Sequence, residues 1–350
     1  MARIFVGMSG GVDSSVTAAL LAREGHDVTG ITLTLLPEGD TPGACCGTSG
    51  AADARAVCDT IGIPHYSWNA RDAFAAEVVG PFIASYAAGR TPNPCIACND
   101  RIKFVWMLSR AMAAGAHALA TGHYARIVEA PEGRRVARGL DPAKDQSYFL
   151  YRMTDEQMAR TLFPLGELTK ADVRAMAREW GLPTAETPES QETCFAPGGH
   201  YAPLIGASCP EALAPGDIVD SDGRILGRHD GIARYTIGQR KGLGLAGGPW
   251  FVTAIEPATS RIVVGREADL AVTRILASVR VWLGAERPTR ASAAIRYRAP
   301  AASALVTPDP ASDALLVELD TPVAGVAPGQ AVVVYDGDLV VGGGVVSDTA

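Results

Sequence analysis

Along the first two hundred positions, apolar residues alternate between two periods. Ile4-Phe5-Val6-Gly7 is a short continuous apolar run of the kind a buried strand makes; residues 16–24 repeat their apolar positions at helical spacing and stop at Gly25. The same alternation predicts a strand over 27–35, a helix over 51–61, a short strand over 65–68 and a helix over 72–88. A loop at 89–99 leads to a helix predicted over 100–114, with Phe104, Met107, Leu108 and Met112 on one face. A strand over 117–121 then ends in Gly122-His123-Tyr124, and a helix over 169–180 is stopped by Gly181 and Pro183. Strand and helix in this order predict an α/β fold with a doubly wound parallel sheet, whose ligands lie at the carboxyl ends of the strands. After Cys209 the helical period is lost. Short β runs follow at 216–219, 250–255 and 261–264, then at 279–282, 294–297, 304–306, 314–319, 330–335 and 339–346. Six or so strands in about seventy-five residues predict a small β-barrel. The expected domains are 1–208, a small central β-rich domain at 209–273, and the barrel at 274–350.

Composition narrows the picture. A chain of 350 residues exceeds one core, and 47% hydrophobic with 20% charged residues suits a soluble globular protein. No apolar run reaches transmembrane length, and the chain enters a strand without a basic leader, which predicts a cytoplasmic protein with no membrane partner. Seven cysteines, odd in number and irregularly spaced, argue against a secreted disulfide framework and for thiol chemistry or metal binding. The net charge of −7 argues against a general nucleic-acid coat. A local patch remains: Arg274, Arg280, Arg287, Arg290, Arg296 and Arg298, with Glu286 as the intervening acid, is either a solvated face or an RNA contact.

The chemistry concentrates in a few stretches. Met8-Ser9-Gly10-Gly11-Val12-Asp13-Ser14-Ser15 joins the first strand to the first helix. First-turn amides without partners and the helix dipole make such a turn an anion site. The glycines permit a sharp turn and close ligand approach, and Ser14 and Ser15 are expected to cap the helix or donate to phosphate. The stretch has neither a Walker ending nor a Gly-x-Gly-x-x-Gly pattern. Cys98 follows a loop stiffened by Pro92 and Pro94 and precedes the helix predicted from Asp100. At a helix N-terminus, with Arg101 and Lys103 nearby, its thiol pKa should fall below the usual value. The Cys95-x-x-Cys98 spacing suits a redox pair, half a zinc site, cluster ligands or two inert buried thiols. Cys194 lies in the polar loop from Glu189 to Phe195, followed by Gly198 and Gly199, and is expected to move. Cys45, Cys46 and Cys58 read as structural or redox-side thiols. Lys144-Asp145-Gln146 and the basic turn at 235–242 read alone as solvated turns.

The first loop is similar to the SGGxDS loop of the ATP pyrophosphatases. Taken together, SGGVDSSV (9–16), TPNPCIACN (91–99), ATGHYAR (120–126), KDQSYFL (144–150), SQETCF (190–195), YTIGQRKGLG (235–244) and RYR (296–298) closely resemble the tRNA-specific 2-thiouridylases, in order and over nearly the whole chain. The resemblance implies ATP-dependent 2-thiolation of a tRNA wobble uridine, with ATP and Mg²⁺ as cofactors and tRNA and a persulfide donor protein as partners. It implies that Gly7, Met8, Ser9, Gly10, Gly11, Val12, Asp13, Ser14, Leu33 and Gly122 hold ATP. Asn93, Pro94, Cys95, His123, Lys144, Asp145, Gln146, Arg296, Tyr297 and Gln330 would meet tRNA. Cys98 would be the nucleophile and Cys194 the persulfide carrier, the two forming a disulfide during turnover. The three domains would be an ATP-pyrophosphatase domain, a central adaptor and a tRNA-contacting barrel. One position departs: many relatives have Asp where this chain has Cys95. Cys95, Cys98 and Cys194 thereby also make a three-cysteine ligand set for an iron–sulfur cluster, a different sulfur route on the same scaffold. Another adenylating ligase would leave both cysteines and the barrel without roles; a non-catalytic RNA-binding or metal-carrying protein would leave the phosphate loop without one.

Overall fold

Strand β1 (Arg3–Gly7) alternates its side chains between two apolar layers. Ile4 and Val6 pack with Ala18 and Leu21 of helix α1 (Val12–Arg23) and with Ala54, Val57 and Cys58 of helix α2 (Thr48–Ile61). Phe5 faces the opposite layer, where its ring lies 6.1 Å from Trp68, itself 6.4 Å from Trp106. Burial on both faces is what a parallel sheet requires. Around β1 the sheet runs β3 (His65–Asn69), β2 (Asp27–Thr34), β1, β4 (Ala118–Ala120), β7 (Thr161–Leu162), every pair parallel. Strand order therefore reverses beside β1, and the crevice at such a switch point is where doubly wound sheets bind ligands. The computed structural model describes residues 1–37, 48–189, 193–196, 198, 201–284, 287–309 and 311–350. Cys45, Cys46 and the Ser190–Glu192 part of the SQETCF stretch lie outside the described residues.

The chain divides into two compact units. The first takes Met1–Val78, Cys95–Gly199 and Asp338–Val340; the second takes Val79–Pro94, His200–Gly337 and Val341–Ala350. The first also holds a hairpin, β5 (Ala125–Ala130) and β6 (Gly133–Arg138), that the apolar pattern did not announce.

In the second unit a four-stranded sheet runs β10 (Phe251–Glu256), β11 (Arg261–Gly265), β8 (Gly216–Val219), β9 (Ile225–His229), around Ile218, Val252, Ile262 and Val264. Six further strands close on themselves: β12 (Ala271–Trp282), β15 (Ala314–Ala324), β14 (Ala302–Asp309), β13 (Thr289–Ala294), β16 (Ala331–Asp336), β17 (Leu339–Thr349) and back to β12. Closure removes the sheet edges and encloses a core of Ile275, Val306, Leu315, Val317, Val332 and Val334. The strand expected at 294–297 is displaced: β13 ends at Ala294, and Arg296–Arg298 form a turn in which Arg298 adopts φ 67°. Among the described residues no helix is long and apolar enough to cross a membrane.

Candidate active site

Helix α1 begins at Val12, and its N-cap is Gly11, so Ser14 and Ser15 are its third and fourth residues and neither caps it. Their hydroxyls turn back instead and donate to Gly11 O at 3.0 and 2.9 Å. Ser14 Oγ also accepts from Ser9 N at 3.2 Å, which folds the loop onto the helix start. Buried Ser15 accepts from Thr184 at 2.8 Å and is structural. The first helical bond runs from Ser15 N to Gly11 O, so the amides ahead of it are aimed out of the helix end. Gly10 sits at φ 80°, where a side chain is strained, and an added Cβ would lie 2.4 Å from Gly50 O. A Cβ on Gly122, at the end of β4, would lie 2.9 Å from Asp13 C and Ser14 N; glycine there lets two strand ends meet at the helix start. Among the described residues, a methyl group placed on Gly11 would have Ser9 Oγ, at 3.5 Å, as its nearest neighbour. Leu33 is buried in the neighbouring β2, and Thr32 donates to Met8 O at 2.9 Å, fixing the loop from that side.

A charged network meets this loop. Lys170 Nζ donates to Asp13 Oδ1 and Oδ2 at 2.7 and 2.8 Å and pairs with Glu189 Oε1 at 3.0 Å. Lys144 donates to Glu189 Oε2 at 2.6 Å, and Tyr124 OH donates to Asp13 Oδ1 at 2.7 Å. Burial pushes the Glu189 carboxyl up, but hydrogen bonds and charge from Lys144 and Lys170 outweigh it and bring its pKa to about 2. Burial, and then the Asp13 carboxylate, drive the Tyr124 hydroxyl far above its ordinary value, so it stays a donor. The Lys144-Asp145-Gln146 stretch is wired inward. Asp145 accepts from Gly139 N, Ser147 N, Ser147 Oγ and Arg138, and Gln146 brackets the Tyr124 backbone with a bond in each direction.

Cys98 departs from its sequence expectation. The helix begins at Pro94 and runs through Pro94–Ala97, Cys98–Met107 and Leu108–Ala113, with its middle part wound as a π-helix. Proline is at home in a first turn, whose N–H has no helical partner, so the Asn93-Pro94 step starts the helix instead of extending the loop. Cys98 therefore lies past the first turn. Burial raises its thiol pKa, and Lys103 only partly opposes this. The expected acidic thiol is not present. His123 is 6% exposed, with Nδ1 2.7 Å from Thr121 Oγ1, Nε2 3.1 Å from Asn99 Oδ1 and Lys103 Nζ at 3.4 Å. Burial and then Lys103 hold it well below its ordinary pKa, so it is neutral at pH 7. Phe104 and Phe163 flank its ring. Cys95 is exposed; Cys98 and Cys194 are partly buried, and Phe195 anchors the Cys194 turn against Phe74 at 5.8 Å. Cys95, Cys98 and Cys194 are thiols without disulfides, and among the described residues no three Cys, His, Asp or Glu side chains gather as metal ligands.

The second unit draws together other expected positions. Gln330 donates to Thr91 O at 2.8 Å, Thr91 N donates to Pro328 O, and Thr91 Oγ1 reaches Thr236 Oγ1 at 3.2 Å. Pieces of two motifs, with Gln330, thus hold the strand of chain that leads into Asn93 and Pro94. Arg296 is exposed and donates to Ala324 O, and Arg298 lies over the Tyr297 ring at 5.2 Å. The basic patch is less bare than its sequence: β15 sets Glu318 against Arg274 and Asp320 against Arg290. These acids lie some forty residues and thirty residues away along the chain (roughly), and a reading of local charge does not register them. Glu286 and the Arg280 side chain lie outside the described residues.

Sequence reasoning missed Lys170 and Glu189 as site residues and left Tyr124 without a role. The one local signal was the capping box formed by Thr169 and Asp172, which starts the helix Lys170–Glu179 and so places Lys170 at its first turn.

The family model described as the tRNA methyl transferase HUP domain matches residues 2–198. Those described as the tRNA methyl transferase PRC-barrel domain and the aminomethyltransferase beta-barrel domain match 207–266 and 272–346. The chain is 47% identical to the tRNA-specific 2-thiouridylase MnmA of Rhodospirillum centenum, over 98% of this chain and 91% of that one. It is 49% identical to the protein of that name from Moorella thermoacetica, over 99% of both. The Methylorubrum populi protein of the same name is 49% identical, over 98% of this chain and 93% of that one. With the Gly10-Gly11 loop, the two cysteines and the closed barrel in place, and with matches of this extent, the chain belongs to the tRNA-specific 2-thiouridylase family.

Proposed function

We propose that this protein uses ATP to replace the C2 oxygen of the wobble uridine of tRNA with sulfur. The observation that carries the reading is the pairing, in one compact unit, of an open helix start at the switch point of a parallel sheet with Cys98 and Cys194, in a chain of this family. Uracil O2 is a poor leaving group. Adenylation by ATP, with loss of pyrophosphate, converts it to a C2–O–AMP linkage whose leaving group is AMP. The amides at Gly10–Ser14 receive phosphate, and Gly11 admits it closely. Asp13, whose oxygens here accept from Lys170 and Tyr124, would be the carboxylate to hold Mg²⁺, which would supply charge neutralisation for the departing pyrophosphate.

A donor protein transfers a sulfane sulfur to Cys194, making Cys194–S–SH. The Cys98 thiolate attacks Cys194 Sγ; the S–S bond of the persulfide breaks, hydrosulfide leaves, and a Cys98–Cys194 disulfide forms. Hydrosulfide adds at C2 and AMP departs, leaving the thiocarbonyl. A thiol reductant returns the disulfide to two thiols. Holding hydrosulfide beside the activated carbon contributes about 7–11 kcal/mol through proximity. Because the Cys98 pKa is raised, the thiolate needed for attack is a minor species at pH 7, and Lys103 is the group that favours it.

For the RNA, we assign direct contact to Asn93, Pro94, Cys95, Lys144, Arg296, Tyr297 and Gln330. His123, Asp145 and Gln146 complete the set, and their bonds with Asn99, Ser147 and Tyr124 hold them in place. We assign adenylation and thiolation to 1–208, an adaptor role to 209–273 and tRNA contact to 274–350. The test is pyrophosphate release from ATP by the purified protein. Release that depends on tRNA carrying an unmodified wobble uridine supports the reading; release indifferent to tRNA contradicts it.

A further inference from the structure

The helix that carries Cys98 is π-wound for ten residues, Cys98–Met107. Such winding is rare and concentrates at functional sites. Its bonds close five residues apart, as Leu108 N to Lys103 O does at its end. Cys98 and Lys103 are five residues apart, so the winding sets them one turn apart on one face. An α-helix, closing at four, would carry Lys103 round to the side. Asn99, four residues before Lys103, is brought to the same point: Asn99 Oδ1 lies 3.1 Å and Lys103 Nζ 3.4 Å from His123 Nε2. Lysine only donates, so in its bond with Lys103 this nitrogen accepts, and Nδ1 carries the proton toward Thr121 Oγ1 at 2.7 Å. A neutral ring steadies the ammonium without cancelling its charge. Asp100, the carboxylate of this helix, pairs instead with Arg101 and Arg152. Among the described residues no carboxylate lies within ion-pair distance of Lys103. Lys103 is thus a half-buried, uncancelled cation, close enough to Cys98 to oppose the effect of burial on its thiol.

We propose that Lys103 is the seat of the transferred sulfur: it faces the Cys98 thiolate before the attack on Cys194 and holds the hydrosulfide anion after it. The proposal rests on the sulfur-transfer reading above. As Cys98 Sγ bonds to Cys194 Sγ and the persulfide S–S bond breaks, the negative charge passes from Cys98 Sγ to the departing sulfur, and no proton moves. A cation already in place compensates that charge at both stages and keeps hydrosulfide at hand until it adds at C2. The π winding delivers the cation, and His123 is a positioning residue for it. The role differs from a structural tie, in which Lys103 only joins its helix to His123. A structural tie needs a donor; an anion seat needs a charge.

The experiment compares the full-length wild type with Lys103→Gln, which keeps a donor for His123 and loses the charge, and Lys103→Arg, which keeps both, with thermal unfolding of each. The first readout is alkylation of Cys98 at one pH by iodoacetate, an anion, and by iodoacetamide, its neutral counterpart, followed by mass spectrometry at that residue. A change in thiolate share moves both rates together, so their ratio reads the seat alone. The ratio of iodoacetate to iodoacetamide should fall about fivefold in Lys103→Gln and stay within about twofold of wild type in Lys103→Arg. An unchanged ratio in Lys103→Gln overturns the proposal. If that variant does not fold, the ratio in folded against urea-unfolded wild type decides: a higher ratio in the folded protein supports the seat, and an equal or lower one overturns it. The second readout is thiolation of tRNA driven by sodium sulfide with ATP in the Cys194→Ser background, where no persulfide is carried. Adding Lys103→Gln should raise the KM for sulfide about tenfold. An unchanged KM, or no sulfide-driven thiolation while pyrophosphate is released, overturns the hydrosulfide role. The alkylation readout needs neither ATP nor tRNA. Wild-type protein without tRNA-dependent pyrophosphate release contradicts the adenylation reading itself, which is a separate result.

Discussion

Gly11→Ala separates the needs of the ligand from the needs of the fold. Gly11 has φ −91° and ψ 163°, a conformation open to any residue, and among the described residues an added Cβ would meet only Ser9 Oγ at 3.5 Å. Alanine there gains about 0.4–1 kcal/mol by restricting the unfolded chain. It loses about 1 kcal/mol at most as the poorer N-cap residue, so folding stability should be nearly unchanged. The methyl group, however, stands where phosphate approaches the amides. Forcing a methyl into a filled contact costs about 1–3 kcal/mol, which is roughly a 5- to 150-fold loss of affinity. Gly122→Ala is the counterpart. Its Cβ would lie 2.9 Å from Asp13 C and Ser14 N and 3.1 Å from Asp13 Cβ, so the backbone of the helix start must shift whether or not nucleotide is present. That variant should lose stability and ATP affinity together. The assay pairs denaturant unfolding with ATP titration. Wild-type ATP affinity in Gly11→Ala would refute the placement of phosphate on this loop, and a loss of stability in Gly11→Ala equal to that in Gly122→Ala would refute the open space above it.

Cys98→Ser should retain pyrophosphate release and lose thiolation, since activation of uridine needs no thiol; loss of both would move Cys98 into the adenylation step. Cys194→Ser should accept no persulfide from the donor, read by mass spectrometry of the intact protein, while Cys95→Ser should retain thiolation; survival of persulfide loading in Cys194→Ser reassigns the carrier. Burial raises the Cys98 pKa, so its thiolate share, and the rate of sulfur transfer with it, should climb about tenfold per pH unit from neutral toward alkaline pH. A rate already level at pH 7 contradicts the raised value. Arg296→Ala should weaken tRNA binding and lower the slope of log affinity against log salt by about 1; an unchanged slope places the phosphates elsewhere.

The α/β order, the glycine turn into the first helix and the barrel were legible because each is written locally, in periodicity and turn residues. Strand β1 and the Gly10-Gly11 turn need no distant partner to be read. The Cys98 helix was misjudged at its start: two prolines read as loop, while the physics of the first turn lets Pro94 begin a helix. Burial of Cys98, which depends on what packs around it, then sets the direction of its pKa. Lys170, Glu189 and Tyr124 were not legible because they matter through what they touch, and the contacts with Asp13 span 157 residues for Lys170 and 111 for Tyr124. For the same reason the arginines of the barrel read as a bare patch until β15 set Glu318 and Asp320 against them.

The most direct test of the central claim is nucleoside analysis of tRNA after incubation with the purified protein, a persulfide donor, a thiol reductant and ATP. The account predicts 2-thiouridine at the wobble position in step with pyrophosphate and AMP release, and none when ATP is omitted or replaced by an analogue that cannot be cut between the α and β phosphates. Thiolation without ATP, or ATP cleavage that leaves the wobble uridine unchanged in the presence of the donor, would contradict it.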